Sequence, residues 1–144
     1  MKLLHVLAAL AVLAVPGQAA EELPVVVDSR GVTLAEFLWI KRPVLVFADS
    51  PEDPSFKRQM ELILRDRGDL AERDVVVITD TDPNGGGFFR QRFRPQGFSL
   101  VLMDKDGVTT LRKPLPWDVR EISRAIDKFP LARQEQLERY PSGR

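Results

Sequence analysis

Two kinds of apolar pattern alternate along this chain. Val44 to Ala48, Val75 to Thr79 and Ser99 to Met103 are short, nearly unbroken apolar runs of strand length. Unbroken runs of this kind suit strands buried on both faces, so Val44 to Ala48 is expected to be a central parallel strand. Val25 to Val27 is a shorter run of the same character, followed by a turn at Asp28-Ser29-Arg30-Gly31. Between the runs, apolar residues recur at helical spacing. Phe56, Met60, Ile63 and Leu64 make one such face, and Val119, Ile122, Ala125, Ile126 and Phe129 make another within Trp117 to Phe129.

Capping signals place the helix starts. Thr33 with Glu36 forms a capping box, which predicts a helix from about Leu34 burying Leu34, Phe37, Leu38 and Trp39. Lys41-Arg42-Pro43 stops it, because the residue before a proline leaves the helical region. Asp49-Ser50-Pro51-Glu52-Asp53-Pro54 offers serine and aspartate caps with proline at the first helical position. Gly68 is expected to end or break the helix that follows. Strand, helix and strand in that order make a βαβ unit with a right-handed crossover. Asp80 to Gly87 is a polar, glycine-rich loop, and Phe88 to Phe93 a short helix. Asp104-Lys105-Asp106-Gly107 is a hairpin turn joining Ser99–Met103 to Val108–Leu111, and it is assigned no chemistry. Pro130 interrupts the last amphipathic helix, and Arg133 to Arg139 is expected to form a polar helical tail. Trp39 and Trp117, on apolar helix faces, are placed in the core.

The first 19 residues change the picture. Lys2 supplies a positive start, Leu3 to Val15 is apolar but short for a bilayer span, and Gly17-Gln18-Ala19 has small residues at the cleavage positions. Residues 1–19 are therefore expected to be a signal peptide cut after Ala19, and residues 20–144 a single domain. An uncleaved anchor is the other reading of the same stretch. Export implies residence in the periplasm or outside the cell, with no membrane anchor once the signal is removed. Cleavage takes away His5, the one histidine, and Lys2, one of 21 basic residues, while all 21 acidic residues stay. A chain so close to neutral argues against a general nucleic-acid or anionic-membrane binder. It also contains no cysteine. Thiol exchange, peroxide reduction, a Ser-His-Asp triad and an ordinary zinc site are excluded for the mature chain.

The order from Pro43 to Phe129 is βαβ, short helix, β-hairpin and final helix, and it resembles the thioredoxin fold. The expected fold class is α/β, thioredoxin-like, a central mixed sheet made of the βαβ unit and the C-terminal hairpin and flanked by helices. In active members the two-cysteine motif follows the first core strand; Ser50-Pro51-Glu52-Asp53 stands there in this chain. Gly97-Phe98-Ser99 stands where a cis-proline is expected. Four segments carry a closer likeness: Arg42-Pro43-Val44-Leu45-Val46-Phe47-Ala48, Leu70-Ala71-Glu72-Arg73-Asp74-Val75-Val76-Val77, Gly97 to Gly107 and Phe129-Pro130-Leu131-Ala132-Arg133-Gln134-Glu135. Together they resemble a domain of unknown function found in small exported bacterial proteins and in secreted matrix proteins of the sushi-repeat and coiled-coil-domain-containing kinds. The resemblance implies a thioredoxin-like domain without catalytic residues to carry over.

Three groups of residues hold the remaining chemistry. Asp80-Thr81-Asp82-Pro83-Asn84-Gly85 matches the first half of a calcium loop, with Asp80, Asp82 and Asn84 as alternating oxygen ligands. Gln91 takes the place of the closing glutamate, and the same residues serve equally as a strand-to-helix turn. Asp49, Ser50 and Asp53 follow a parallel strand, at the edge where open α/β sheets bind ligands. With Asp80 and Asp82 they would bind a cation or raise one another's pKa; alternatively they cap a helix and face solvent. Arg90 and Arg94, four apart, would share a helix face and hold a partner's carboxylate or phosphate, or form surface ion pairs. The leading expectation is an exported, non-enzymatic binding module that engages another exported protein and uses no cofactor. The alternative is a carboxylate- or divalent-cation-dependent site, enzyme or calcium binder, at that sheet edge.

Overall fold

The computed structural model describes residues 24–141; the expected signal segment lies outside them. Five strands form one sheet: β1 (Val26–Asp28), β2 (Arg42–Phe47), β3 (Val75–Asp80), β4 (Ser99–Met103) and β5 (Thr110–Lys113), in the order β1-β3-β2-β4-β5. β1, β3 and β2 run parallel, whereas β4 is antiparallel to β2 and β5 to β4. The mixed sheet expected from the pattern is present, with β2 at its centre.

The register explains why the three long runs are apolar throughout. Val44 lies between Val77 and Leu102 across the sheet, and Leu45 between Ile78 and Val101. The first set faces a core built with Ile63, Leu70, Ile122, Ile126 and Phe129. The second faces a separate core with Leu34 and Phe89. Each fully buried Val, Leu or Ile contributes about 1.5–3 kcal/mol, and successive residues of one strand contribute to opposite cores.

Helices α1 (Pro54–Arg65), α2 (Arg67–Ala71), α4 (Val119–Ile126) and α5 (Pro130–Arg139) contribute to the first core. The short α3 (Phe88–Phe93) lies on the second. The α1 start follows the expected caps: Asp53 accepts the Ser55 and Phe56 amides at 2.8 and 3.2 Å, with Pro54 at the first position. Asp118 and Glu121 form a capping box that starts α4. Pro130 begins α5 rather than merely ending its predecessor, since a proline at the first position lacks only an amide that would be unpaired anyway. α1 stops at Arg65, before Gly68, which lies inside α2. Leu62 is buried in place of the predicted Leu64, which is exposed.

The helix predicted from Leu34 is a single 3-10 turn, Leu34–Glu36. Its capping bond forms, from the Thr33 amide to the Glu36 carboxylate at 2.5 Å, but a cap does not supply length. The chain must turn back into β2 within a few residues. It does so with Trp39 at φ 65°, its amide donating to the Lys105 carbonyl at 2.8 Å. Trp39 is therefore 67% exposed, not core. Trp117 is partly buried against the first core, as predicted. Its backbone amide and carbonyl both pair with the fully buried side-chain amide of Gln59, at 2.9 and 2.8 Å.

Leu34 and Leu38 close over the β4–β5 hairpin at Gly107. That residue has φ +69°, and a Cβ there would lie 2.7 Å from Leu38 Cδ2 and 2.9 Å from Leu34 Cδ2. Gly107→Ala adds backbone strain to overpacking. It is expected to lower the unfolding free energy by about 1–3 kcal/mol, read as a lower urea midpoint at unchanged slope.

Candidate functional site

Parallel pairing brings the ends of β2 and β3 to one edge. Phe47 is in register with Asp80, and the Ala48 amide donates to the Asp80 carbonyl at 2.9 Å. The segments Asp49–Asp53 and Asp80–Asp82 therefore leave the sheet side by side, and β1 delivers Ser29 beside them.

Asp80 is buried at this edge. Its carboxylate accepts Ser29 Oγ at 2.7 Å, Arg90 Nε at 2.9 Å and the Asp82 amide at 3.2 Å. Arg90 is also buried. It donates to the Ala48 and Asp80 carbonyls at 2.8 and 3.2 Å and lies 5.7 Å from the centroid of the Phe47 ring. Its Nη1 is 3.9 Å from the exposed Asp49 carboxylate. Arg90 is thus a clamp across β2, β3 and α3. Arg94 is separated from it in environment: exposed, it ends α3 at φ 45°, ψ 56°. The two arginines do not form one anion-holding face.

The other side chains of the edge turn onto their own backbone. Ser50 Oγ accepts the Glu52 amide at 3.1 Å, and Asp53 caps α1. Asp82 accepts the Asn84 amide at 3.0 Å, while its carbonyl takes the Gly85 amide at 3.1 Å. These are the bonds of an aspartate turn. Asp80, Asp82 and Asn84 do not gather into a ligand set. Among the described residues no three Asp, Glu, His or Cys side chains are grouped to hold a metal ion.

A polar cavity of about 230 Å³ remains, lined by Asp28, Ser29, Arg30, Pro51, Asp80, Thr81 and Asp82. It is smaller than the roughly 300–1,000 Å³ of ordinary ligand pockets. The Arg30 guanidinium, bonded to Asp28 at 2.9 and 3.0 Å, holds that carboxyl below its usual value. That is the wrong direction for a general acid at neutral pH. Asp80, on the same wall, is paired to Arg90.

The most heavily buried charges lie at the opposite end of the sheet and were not legible as such. Arg42, 1% exposed, donates through Nε to Asp104 at 2.9 Å, and through Nη1 to the Arg73 carbonyl and to Glu135, both at 3.1 Å. Asp104, fully buried, also accepts the Lys105 and Leu131 amides at 2.9 and 3.0 Å. Lys105 bridges Asp74 at 2.7 Å and Glu135 at 2.8 Å. This network ties β2, the hairpin, the start of β3 and α5 together. Burial pushes the Glu135 carboxyl up, but Lys105 and Arg42 outweigh it and hold the group below its ordinary value. Its share in docking α5 is therefore present above the ordinary carboxylate range and lost as pH falls through the lowered value. The one sequence signal was Asp104 continuing an apolar run without a break, and turn chemistry accounted for it first.

A family model described as "Domain of unknown function (DUF4174)" matches residues 33–135. Among solved structures the chain is similar to chloroplastic thioredoxin z, at 16% identity and a TM-score of 0.52, over 66% of this chain and 81% of that one. It is also similar to Plasmodium yoelii Prx1a, at 19% identity and a TM-score of 0.50, over 76% of this chain and 82% of that one. No curated protein sequence matches it. At these identities the likeness shows the fold alone, and the fold is thioredoxin-like, as the order of elements predicted. No helix among the described residues is long and apolar enough to cross a membrane.

Proposed function

We propose that this chain, which belongs to the DUF4174 family of domains of unknown function, is an exported binding module without catalytic activity. One observation carries the reading. At the sheet edge that follows β2 and β3, Asp80 is locked by Arg90 and Ser29, and the positions from Ser50 to Asp53 serve to start a helix. These bonds make the edge rigid, with its side chains committed to the fold. A rigid edge with exposed Glu52, Asp82 and Asn84 around it suits recognition of a partner in the periplasm or outside the cell.

Site-specific photo-crosslinking tests this. A crosslinking residue placed at Glu52 or Asn84 of the full chain, expressed in a Gram-negative host, is expected to trap one discrete adduct in the exported fraction. The same residue at Arg124, on the exposed side of α4, is expected to trap none. Equal labelling at all three sites, or protein retained in the cytoplasm with residues 1–19 attached, would overturn the reading.

A further inference from the structure

Arg92 and Arg112 converge on one aromatic ring. Their guanidinium carbons lie 5.4 and 5.7 Å from the Phe93 centroid. Arg92 Nη2 donates to the Gly107 carbonyl at 2.7 Å, and Arg112 Nη2 donates to the Phe93 carbonyl. Each guanidinium is thus held by a ring and by one bond. Most of its N–H groups have no protein acceptor among the described residues. Arg94 follows directly, exposed at the end of α3.

None of these three cations has a carboxylate within 4.0 Å among the described residues. Arg42, Arg73 and Arg90, by contrast, are each paired with an acid. In a chain of zero formal net charge, the Phe93 surface is a place where positive charge is fixed in position and left open. Arg112 also borders a groove of about 380 Å³ whose walls include Pro95, Phe98 and Pro114.

We propose that this surface binds a short acidic segment of a partner protein. A carboxylate would engage the forks of Arg112 and Arg92, with Arg94 beside them, and a neighbouring apolar side chain would enter the groove. Planar guanidinium matches a carboxylate through paired hydrogen bonds, and side chains already immobilised lose less freedom on binding. The groove favours a peptide over a phosphate or sulfate polymer, which has no apolar side chain to place there. This inference rests on the binding-module reading and names the partner's chemistry.

Fluorescence anisotropy with a labelled decapeptide of alternating Glu and Leu tests it on the full exported chain. Saturable binding is expected, weakening as salt rises. The Arg92→Gln/Arg112→Gln pair is expected to weaken it at least tenfold, and Arg124→Gln to leave it unchanged. Arg112→Glu, a surface change that keeps the fold, is expected to reverse preference toward a Lys-Leu peptide. Equal binding of a Gln-Leu peptide would overturn the proposal, as would no saturation, or tighter binding of heparin fragments than of the peptide. If the peptide fails while Glu52 and Asn84 still trap an adduct, the module reading stands and only the acidic partner is lost.

Discussion

Arg42→Met is expected to lower the unfolding free energy by about 3–5 kcal/mol, because it strands a charge that has no access to water. Asp104 is fully buried and would keep only the Lys105 and Leu131 amides as donors. The loss reaches beyond one bond. Arg42 also holds the Arg73 carbonyl and Glu135, so β3's approach and α5's docking weaken together. A domain's whole stability is about 5–15 kcal/mol, so this variant is expected to be marginal at 37 °C. Urea unfolding followed by circular dichroism gives the number. The pair Arg42→Met/Asp104→Asn separates charge from shape. Asparagine removes the charge but keeps only one acceptor oxygen for the Lys105 and Leu131 amides, which bond to different oxygens of Asp104, so only part of the loss is expected to return. A single-variant loss under about 1 kcal/mol would show that the ion pair does not hold this end of the sheet.

Asp80→Ala is expected to cost about 3 kcal/mol by the same physics at the opposite end. Arg90 would remain buried against Phe47 with carbonyl acceptors alone. The exposed Asp49 carboxylate, 3.9 Å away, would take over some of the compensation, which places the loss at the lower end of the range for buried pairs. Ser29 would lose its acceptor too, so β1 is expected to loosen. Hydrogen exchange should quicken at the Val77 amide, which donates to the Val25 carbonyl at 3.0 Å, more than at β4. Uniform exchange with an unchanged urea midpoint would contradict the clamp.

The central strands were legible because burial on both faces leaves a mark in adjacent residues. Val44 to Phe47, Val75 to Ile78 and Leu100 to Met103 are apolar without alternation, and their register divides them between two cores. The cap at Asp53 was legible for the same reason of proximity, since it acts within three residues, whereas the Asp118 cap, equally local, was passed over and its helix was expected to start at Trp117. Thr33 and Glu36 form their bond as well, but the distance to β2, set by the rest of the sheet, cut their helix to one turn. Charge pairing was the opposite case. Arg42 meets Asp104 across 62 positions, and nothing beside either residue announces the other. Arg90 and Arg94 share helical spacing, yet one turns inward to Asp80 and the other ends the helix in the open. Spacing names the face of a helix; only the tertiary fold says which side chain is buried.

Asp53 sets a stability cost on thiol chemistry at this edge. It stands where active thioredoxins carry a thiol, and it anchors the first turn of α1 through two amides. A mutation to cysteine there removes a cap worth about 0.5–2 kcal/mol. A second cysteine, at Ser50, would still be needed before any disulfide could form. Each step toward redox chemistry is thus a loss before it is a gain, and the helix cap opposes a thiol at this position.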